Sequence, residues 1–549
     1  MVPYAILLAL IALTLSVLVL AAVPPVSRDA LTHHLFIPKL YLAHGGIYEI
    51  PYVKYSYYPM NLDLLYIIPM AFGNDIVPKY IHFAFGIATA FLIYRYGKSR
   101  LNSVYGGLGA LFFLSIPVAV KLSITAYVDL GLICFSFASL LYILEWCRKA
   151  FPVKYLFFSA LCCGLALGTK YNALITFVLI TLFIPVIYTR SASAPPVRID
   201  AAIKPALFYV MIALIFFSPW MIRNYMWKKN PLYPLYHHIS STGEMNNGQE
   251  ETRGIGSKSY TGNQFGSFAI RRIIYHEKWW QTAAIPVRVF FQGRDDDPKF
   301  FDGQLNPFLF ILPFFAFWGY RDEASASIAL EKKTMLAFAV LFLLLVFFAQ
   351  DVRIRYIAPI IPPLVVLSMF GLHNIILRGR KETSLLKKAV CYLAAVTAVS
   401  WMGWINGKYV IGQFDHVKPL EYLTGQIDRD RYIEKYRSEY PMMVYANQNL
   451  PADVTILSVF LGNRYYYSER KIVSNFSTLA DAARQSKTPD ALLSELKQRG
   501  YTHIMIGYSL FNSWAGANFT DRQKHCLSTF FSRKVRLLFS KNGYGLYQL

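Results

Sequence analysis

The sequence predicts a polytopic α-helical membrane protein of about eleven transmembrane helices, followed by a small C-terminal α/β domain on the extracytoplasmic side. Three observations carry that prediction. Of 549 residues, 55% are hydrophobic and only 16% charged, against about 25% charged in an ordinary soluble domain. Mean hydropathy is +0.35. The charges present are lopsided, with 55 Lys+Arg against 32 Asp+Glu and a formal net charge of +23. Cations scattered between apolar runs mark loops flanking membrane spans, and without a continuous basic patch no nucleic-acid partner is expected.

An apolar run of about 20 residues crosses a hydrocarbon core ~30 Å thick. By that rule spans fall near 4–23, 77–96, 104–121, 126–146, 155–170, 171–189, 205–222, 305–320, 334–350, 356–377 and 389–407. The first lacks the basic start of a secretion signal and is read as an uncleaved span. Stretch 59–73 is short and holds Asn61 and Asp63, so it is expected to lie at the membrane surface or half buried. The cysteines at 134, 147, 162, 163 and 391 sit in or beside apolar runs, and with Cys526 they show neither a Cys-x-x-Cys pair nor metal-ligand spacing. They read as small packing residues.

Lys/Arg bias in the short loops sets the orientation. Arg95, Lys98 and Arg100; Arg148, Lys149 and Lys154; Arg190, Arg198 and Lys204; Arg321, Lys332 and Lys333; and Arg378, Arg380, Lys381, Lys387 and Lys388 go to the cytoplasm. The N-terminus is then cytoplasmic. The long loops 24–58 and 223–304 and the tail 408–549 are extracytoplasmic, leaving 1–407 as the transmembrane domain. In the tail, 454–461 and 502–508 read as strands, 489–499 as a helix, and 535–539 with 545–548 as a hairpin around Lys541-Asn542-Gly543. No glycine-rich phosphate loop opens its helix, and no chemistry is assigned to it. Asn475-Phe476-Ser477 and Asn518-Phe519-Thr520 match a glycosylation sequon, a pattern frequent by chance.

This orientation, derived from other residues, collects Asp29, Asp129, Lys170, Arg223, Arg353 and Arg355 on the outer face. Singly, each reads as a side chain reaching to the interface; together they suggest a site. Asp29 follows the first span and precedes an amphipathic segment with Leu31, Leu35, Ile37 and Leu40 against His33, His34 and Lys39. It suits a general base, or a cap for the following helix. Asp129 enters an apolar helix and needs a partner. Lys170 and Arg223 stand at span ends, where cations hold phosphate by charge-assisted hydrogen bonds.

Asp29, His33-His34-Leu35, Pro38-Lys39, Tyr57-Tyr58-Pro59, Gly168-Thr169-Lys170, Pro219-Trp220, Arg223-Asn224, Asn230-Pro231, Tyr233-Pro234 and Arg355-Tyr356 with Pro359 occur in an order that resembles the GT-C glycosyltransferases. The nearest branch contains the protein O-mannosyltransferases and the aminoarabinose transferase of lipid A, and the resemblance covers residues 1–407. It implies an inner-membrane enzyme with a periplasmic active site. Such an enzyme takes one sugar from a polyprenyl-phosphate carrier, with inversion, and gives it to an acceptor hydroxyl on lipid, glycan or protein. It also implies Asp29 as catalytic base, Asp129 as a second acid, and Lys170, Arg223 and Arg355 as ligands of the carrier phosphate. His33, His34, Tyr58 and Trp279 are the expected substrate or acceptor contacts. Many relatives have two adjacent acids in the first loop, whereas Asp29 stands alone between Arg28 and Ala30, so no cofactor and no essential metal is expected.

Loop 223–304 carries Tyr225, Trp227, Tyr233, Tyr236, His237, His238, Tyr260, His276, Trp279 and Trp280, an aromatic set that fits a membrane-interface belt or a sugar surface. Within it, 241–266 is rich in Gly, Ser and Asn and suits a closing segment. Arg294-Asp295-Asp296-Asp297 reads as an exposed acidic loop, and His237-His238, being adjacent, make a poor metal pair. Two competing classes are a secondary transporter and a ligase or polymerase moving a preassembled glycan. A transporter places its ionisable groups at mid-membrane in repeated halves, and neither feature is apparent.

Overall fold

A computed structural model describes residues 2–190, 199–235, 267–318 and 326–549. Helices α1 (Val2–Ala21), α2 (Phe36–His44), α3 (Asn61–Ala71), α4 (Val77–Arg100), α5 (Ser103–Ser115), α6 (Pro117–Ser123), α7 (Asp129–Arg148), α8 (Val153–Leu167), α9 (Ala173–Arg190) and α10 (Ile199–Lys228) build the first half of the bundle. Helices Ala326–Ala349, Ile361–Lys381 and Leu385–Val417 complete it. The expected Arg198 and Arg321, Tyr236, His237, His238, Tyr260 and the 241–266 segment lie outside the described residues.

Among the described residues eight helices are long and apolar enough to cross a membrane. The pair α5–α6, bent by 66°, passes the same length and composition test only when its two helices are taken together. Its bend has a local cause: Pro117 disfavours the helical region for the residue before it, and Ile116 sits at ψ 133°. Two of the eleven expected spans are shorter. The run at 155–170 forms α8, 15 residues long, and among its described residues the run at 305–320 holds the eight-residue helix Phe308–Phe315. Hydropathy counts an apolar residue outside a helix the same as one inside it, so the Pro307-led start of that run was overcounted. Stretch 59–73 forms α3, with Ile68 and Phe72 exposed and Asp63 buried.

The tail holds a five-stranded sheet in the order β2-β1-β3-β5-β4. Its strands are β1 (Thr455–Val459), β2 (Lys471–Ser474), β3 (His503–Gly507), β4 (Arg536–Lys541) and β5 (Tyr544–Gln548). β2, β1 and β3 run parallel, and β5 and β4 add antiparallel. Asn542 and Gly543 both have positive φ, as a two-residue hairpin turn requires. Alternation divides the sheet between two cores. Leu457, Val459, Ile504 and Ile506 pack on tail helices through Leu479, Leu492 and Leu496. Ile456, Met505 and Leu546 face the other way and join the core of the helical bundle. The expected boundary at 407 falls within Leu385–Val417, one continuous helix.

Close helix packing supplies a test. A Cβ on Gly371 would lie 2.1 Å from the Leu312 carbonyl oxygen, whereas one on Gly403 would meet nothing within 4 Å. Gly371→Ala should cost about 1–3 kcal/mol by forcing two helices apart. Gly403→Ala should be neutral or stabilising by roughly 0.5–1 kcal/mol. Thermal unfolding of the two variants in detergent checks the contrast.

Candidate active site

The residues of interest come from six separate chain segments and meet at one end of the bundle. Asp29 lies in the link between α1 and a short π-helical turn, Ala30–His34. Its side chain makes no capping bond. The carboxylate is instead paired with the Arg355 guanidinium, and its backbone N–H donates to the Tyr127 hydroxyl at 3.4 Å. Burial raises the Asp29 carboxyl, but the Arg355 guanidinium paired with it outweighs burial and holds the group well below the usual carboxylate range. Arg355 reaches this position from a 3₁₀ turn, Ile354–Tyr356. That turn is anchored where Ile354 N–H donates to the Phe301 carbonyl at 2.8 Å.

Asp129 opens α7, where a carboxylate also complements the helix dipole. Its side chain is fully buried and pairs with Lys170 Nζ at 2.7 Å. His82 fixes the approach to this helix. Its Nε2 accepts from Leu130 N–H at 2.9 Å, so the proton is assigned to Nδ1, which faces the Thr125 carbonyl at 2.9 Å. The two ion pairs share an aromatic wall: the Tyr356 ring lies 5.8 Å from Lys170 Nζ and 5.4 Å from the Arg355 guanidinium.

The expected motifs meet at Asn61. Its Oδ1 accepts from Trp220 Nε1 at 2.8 Å, its Nδ2 donates to the Leu165 carbonyl at 3.3 Å, and its N–H donates to the Gly168 carbonyl at 2.8 Å. A Cβ on Gly168 would lie 2.2 Å from Asn61 Nδ2, so the glycine admits this side chain. One amide thus ties α3, α8 and α10 and places Lys170 beside α7. Next to Trp220, Arg223 donates to Asn224 Oδ1 at 2.9 Å and to the Tyr58 carbonyl at 3.1 Å. Its guanidinium lies between the Trp220 and Trp227 rings, 4.5 and 5.0 Å from their centres. Among the described residues Arg223 has no acidic partner.

His33 stacks on Tyr55 with ring centres 4.5 Å apart, and Tyr55, Tyr58 and Tyr171 continue edge to face towards Arg223. His34 turns inward, against the amphipathic pattern, and its Nδ1 sits 2.7 Å from Asp63 Oδ1. Burial pushes both histidines down to about 3 and Asp63 up to about 7, each towards its uncharged form. Six buried side-chain polar atoms lack a hydrogen-bond partner among the described residues, and five belong here: His33 Nδ1, Tyr41 Oη, Asp129 Oδ2, Arg223 Nη1 and Arg355 Nε.

The structure therefore brings together Asp29, His33, His34, Tyr58, Asp129, Lys170, Arg223 and Arg355. It does not bring in Trp279, which is 82% exposed on a short helix, Trp279–Ala283, with no contact to this cluster. Exposed aromatics in a membrane protein are common at the interface, and sequence gave no way to separate the two uses. Arg353 reaches Asp302 at 3.5 Å, away from Asp29. Sequence reasoning missed Asp63, His82, Tyr127 and Tyr356 as site-building residues; a buried acid in a short apolar helix was the available signal for Asp63.

Residues 63–222 match the family model described as dolichyl-phosphate-mannose-protein mannosyltransferase. No curated protein matches the chain in sequence. Among solved structures it is similar to ArnT from Cupriavidus metallidurans in the apo state, with a TM-score of 0.59 at 13% identity over 99% of this chain and 97% of that one. The same protein bound to undecaprenyl phosphate matches with a TM-score of 0.58 at 12% identity, over 99% and 97% of the two chains. The archaeal oligosaccharyltransferase AglB from Archaeoglobus fulgidus, in complex with an inhibitory peptide and a dolichol-phosphate, matches with a TM-score of 0.52 at 10% identity, over 92% of this chain and 70% of that one. The fold is that of ArnT, matched from the first helix through the C-terminal sheet.

The neutral histidines set a pH dependence. With folded values near 3 against an ordinary 6.5, the unfolded chain takes up protons first as pH falls. Their contribution to stability is complete above pH 6.5 and is lost progressively towards pH 3. Asp63 works in the opposite sense, its contribution fading as pH rises through about 7. His33→Gln should therefore flatten the fall in melting temperature between pH 6.5 and 4 relative to the unmodified protein.

Proposed function

We propose that the chain is an inverting glycosyltransferase that moves a single sugar from a polyprenyl-phosphate carrier to an acceptor hydroxyl. The reaction takes place at the extracytoplasmic face of the inner membrane. The observation that carries this reading is the convergence of two acids, three cations and five unpartnered buried polar atoms at one end of a GT-C fold. Buried polar atoms are nearly always satisfied, so a cluster of exceptions points to ligand contacts.

The donor is a phosphodiester. As its sugar C1–O bond breaks, the electron pair and a second negative charge pass to the phosphate oxygen. Cations already in place gain more in that transition state than in the ground state. Arg223 is the cation best suited to the resting phosphate, because it is held by an amide and a carbonyl rather than by an acid. Lys170 and Arg355 lie against Asp129 and Asp29 and respond to the charge that develops.

Asp29 takes the proton of the acceptor hydroxyl as the new O–C1 bond forms on the opposite sugar face. Paired with Arg355 it is a weak base. A phosphate gaining charge beside Arg355 competes for the guanidinium, and Asp29 recovers basicity as the leaving group departs. Both carboxylates carry a cation supplied by the chain itself, so the reading requires no divalent metal, and chelator-treated protein should keep its turnover.

The test is transfer from radiolabelled polyprenyl-phosphate sugars to lipid, glycan or peptide acceptors by purified protein. A single labelled sugar on the acceptor supports the proposal. Transfer of a preassembled block, or uptake into vesicles without covalent product, rejects it. Asp29→Asn should lower kcat by at least about 10²-fold with carrier-lipid binding retained. Arg223→Ala should raise the KM for donor about tenfold or more, the loss of one charge-assisted contact; an unchanged KM would remove Arg223 from the phosphate.

A further inference from the structure

The link that carries Asp29 is gripped from outside through its own carbonyl oxygens. Lys79 Nζ, from α4, donates to the Val23 carbonyl at 2.7 Å. The other three holds come from the C-terminal part of the chain. Tyr467 hydroxyl donates to the Pro25 carbonyl at 2.7 Å, Arg437 Nε to the Val26 carbonyl at 2.5 Å, and Tyr466 N–H to the Leu31 carbonyl at 3.2 Å. They fall four and three residues before Asp29 and two after it. Beyond the link, Lys39 Nζ returns the contact, donating to the carbonyls of Tyr466 at 2.8 Å and Ser468 at 2.9 Å. Asp75, just before α4, accepts from Arg429 and from the Tyr466 hydroxyl.

Packing follows the same seam. Tyr466 lies against a small buried cluster of Ala30, Leu35, Tyr66 and Ala126, together with Tyr127. Ala30 is the residue after Asp29, and Tyr127 receives the Asp29 N–H. Contacts that merely glued a tail to the bundle would have no reason to straddle one residue. A catalytic group displaced by about 1 Å loses on the order of 10² in rate, so holding a loop by its backbone matters where the loop carries the base.

We infer that Arg437 and the 465–468 segment are positioning elements for the Asp29 carboxylate, making the C-terminal unit part of the catalytic apparatus. The inference rests on the reading of Asp29 as base. The groups act on the backbone on either side of Asp29 and touch neither donor nor acceptor.

Arg437→Gln combined with Tyr467→Phe removes two of the three tail holds. In the full-length protein in nanodiscs, amide exchange over residues 26–35 should quicken at least tenfold, while strands β1 and β3 keep their protection. Turnover should show a lower kcat with the KM for donor within twofold, and binding of a bare polyprenyl phosphate should not change. Arg437→Lys, which restores a cationic donor, should recover most of the rate. In an Asp29→Asn background the double substitution should cause no further fall, because it acts through Asp29. Unchanged exchange over 26–35, or equal loss of protection in β1 and β3, would overturn the inference. Asp29→Asn with undiminished turnover would overturn the base assignment instead, and the exchange measurement would still decide whether the tail grips the link.

Discussion

A carboxylate cannot be buried among apolar helices without a counter-charge, and that constraint shapes this end of the molecule. Asp129 is fully buried at the head of α7, and Lys170 has to be there with it. Placing Lys170 requires the break between α8 and α9, and the break requires Gly168 so that Asn61 can enter. Asn61 then reaches Trp220, and Trp220 stands one turn from Arg223. Four helices are set by the need to keep one acid compensated. Asp29 and Arg355 repeat the solution with partners more than three hundred residues apart.

The two acids are not equivalent. Asp129 is enclosed and already satisfied on one oxygen, which suits a group that organises cations. Asp29 retains 20% of its side-chain surface and sits at the head of the short π-helical turn instead of on a membrane-length helix. His33 and His34 are kept neutral beside it, so they add hydrogen-bonding capacity without adding charge that would compete for an anion. The aromatic run from Tyr55 to Tyr171 connects this region to Arg223 through ring edges and faces, an apolar but polarisable surface of the sort that accepts both a sugar and a cation.

Much of this was legible from the chain alone, for definite reasons. Apolar runs and loop charge gave the long helices and grouped Asp29, Asp129, Lys170, Arg223 and Arg355, because both signals depend only on the bilayer. The Asn542-Gly543 turn was legible because few dipeptides accept two positive φ angles. Three things were not. Hydropathy cannot tell α8 or Phe308–Phe315 from a full crossing, since it is blind to where a helix stops. The pairing of Arg355 with Asp29 instead of with an open cavity depends on long-range packing. The burial of His34 against Asp63 runs against an amphipathic pattern that put both histidines on the polar side, because a π-turn shifts the phase of the following helix.

The separation of the gripping residues along the chain carries a consequence for biosynthesis. Val26 meets Arg437 across 411 residues, and Pro25 meets Tyr467 across 442. A polypeptide extended only as far as the helix Leu385–Val417 still lacks Arg437 and Tyr467, the partners that hold the link around Asp29. Contacts of such long range form late. A product stalled before residue 437, however well its long helices pack, therefore leaves the Val26 and Pro25 carbonyls without these two donors.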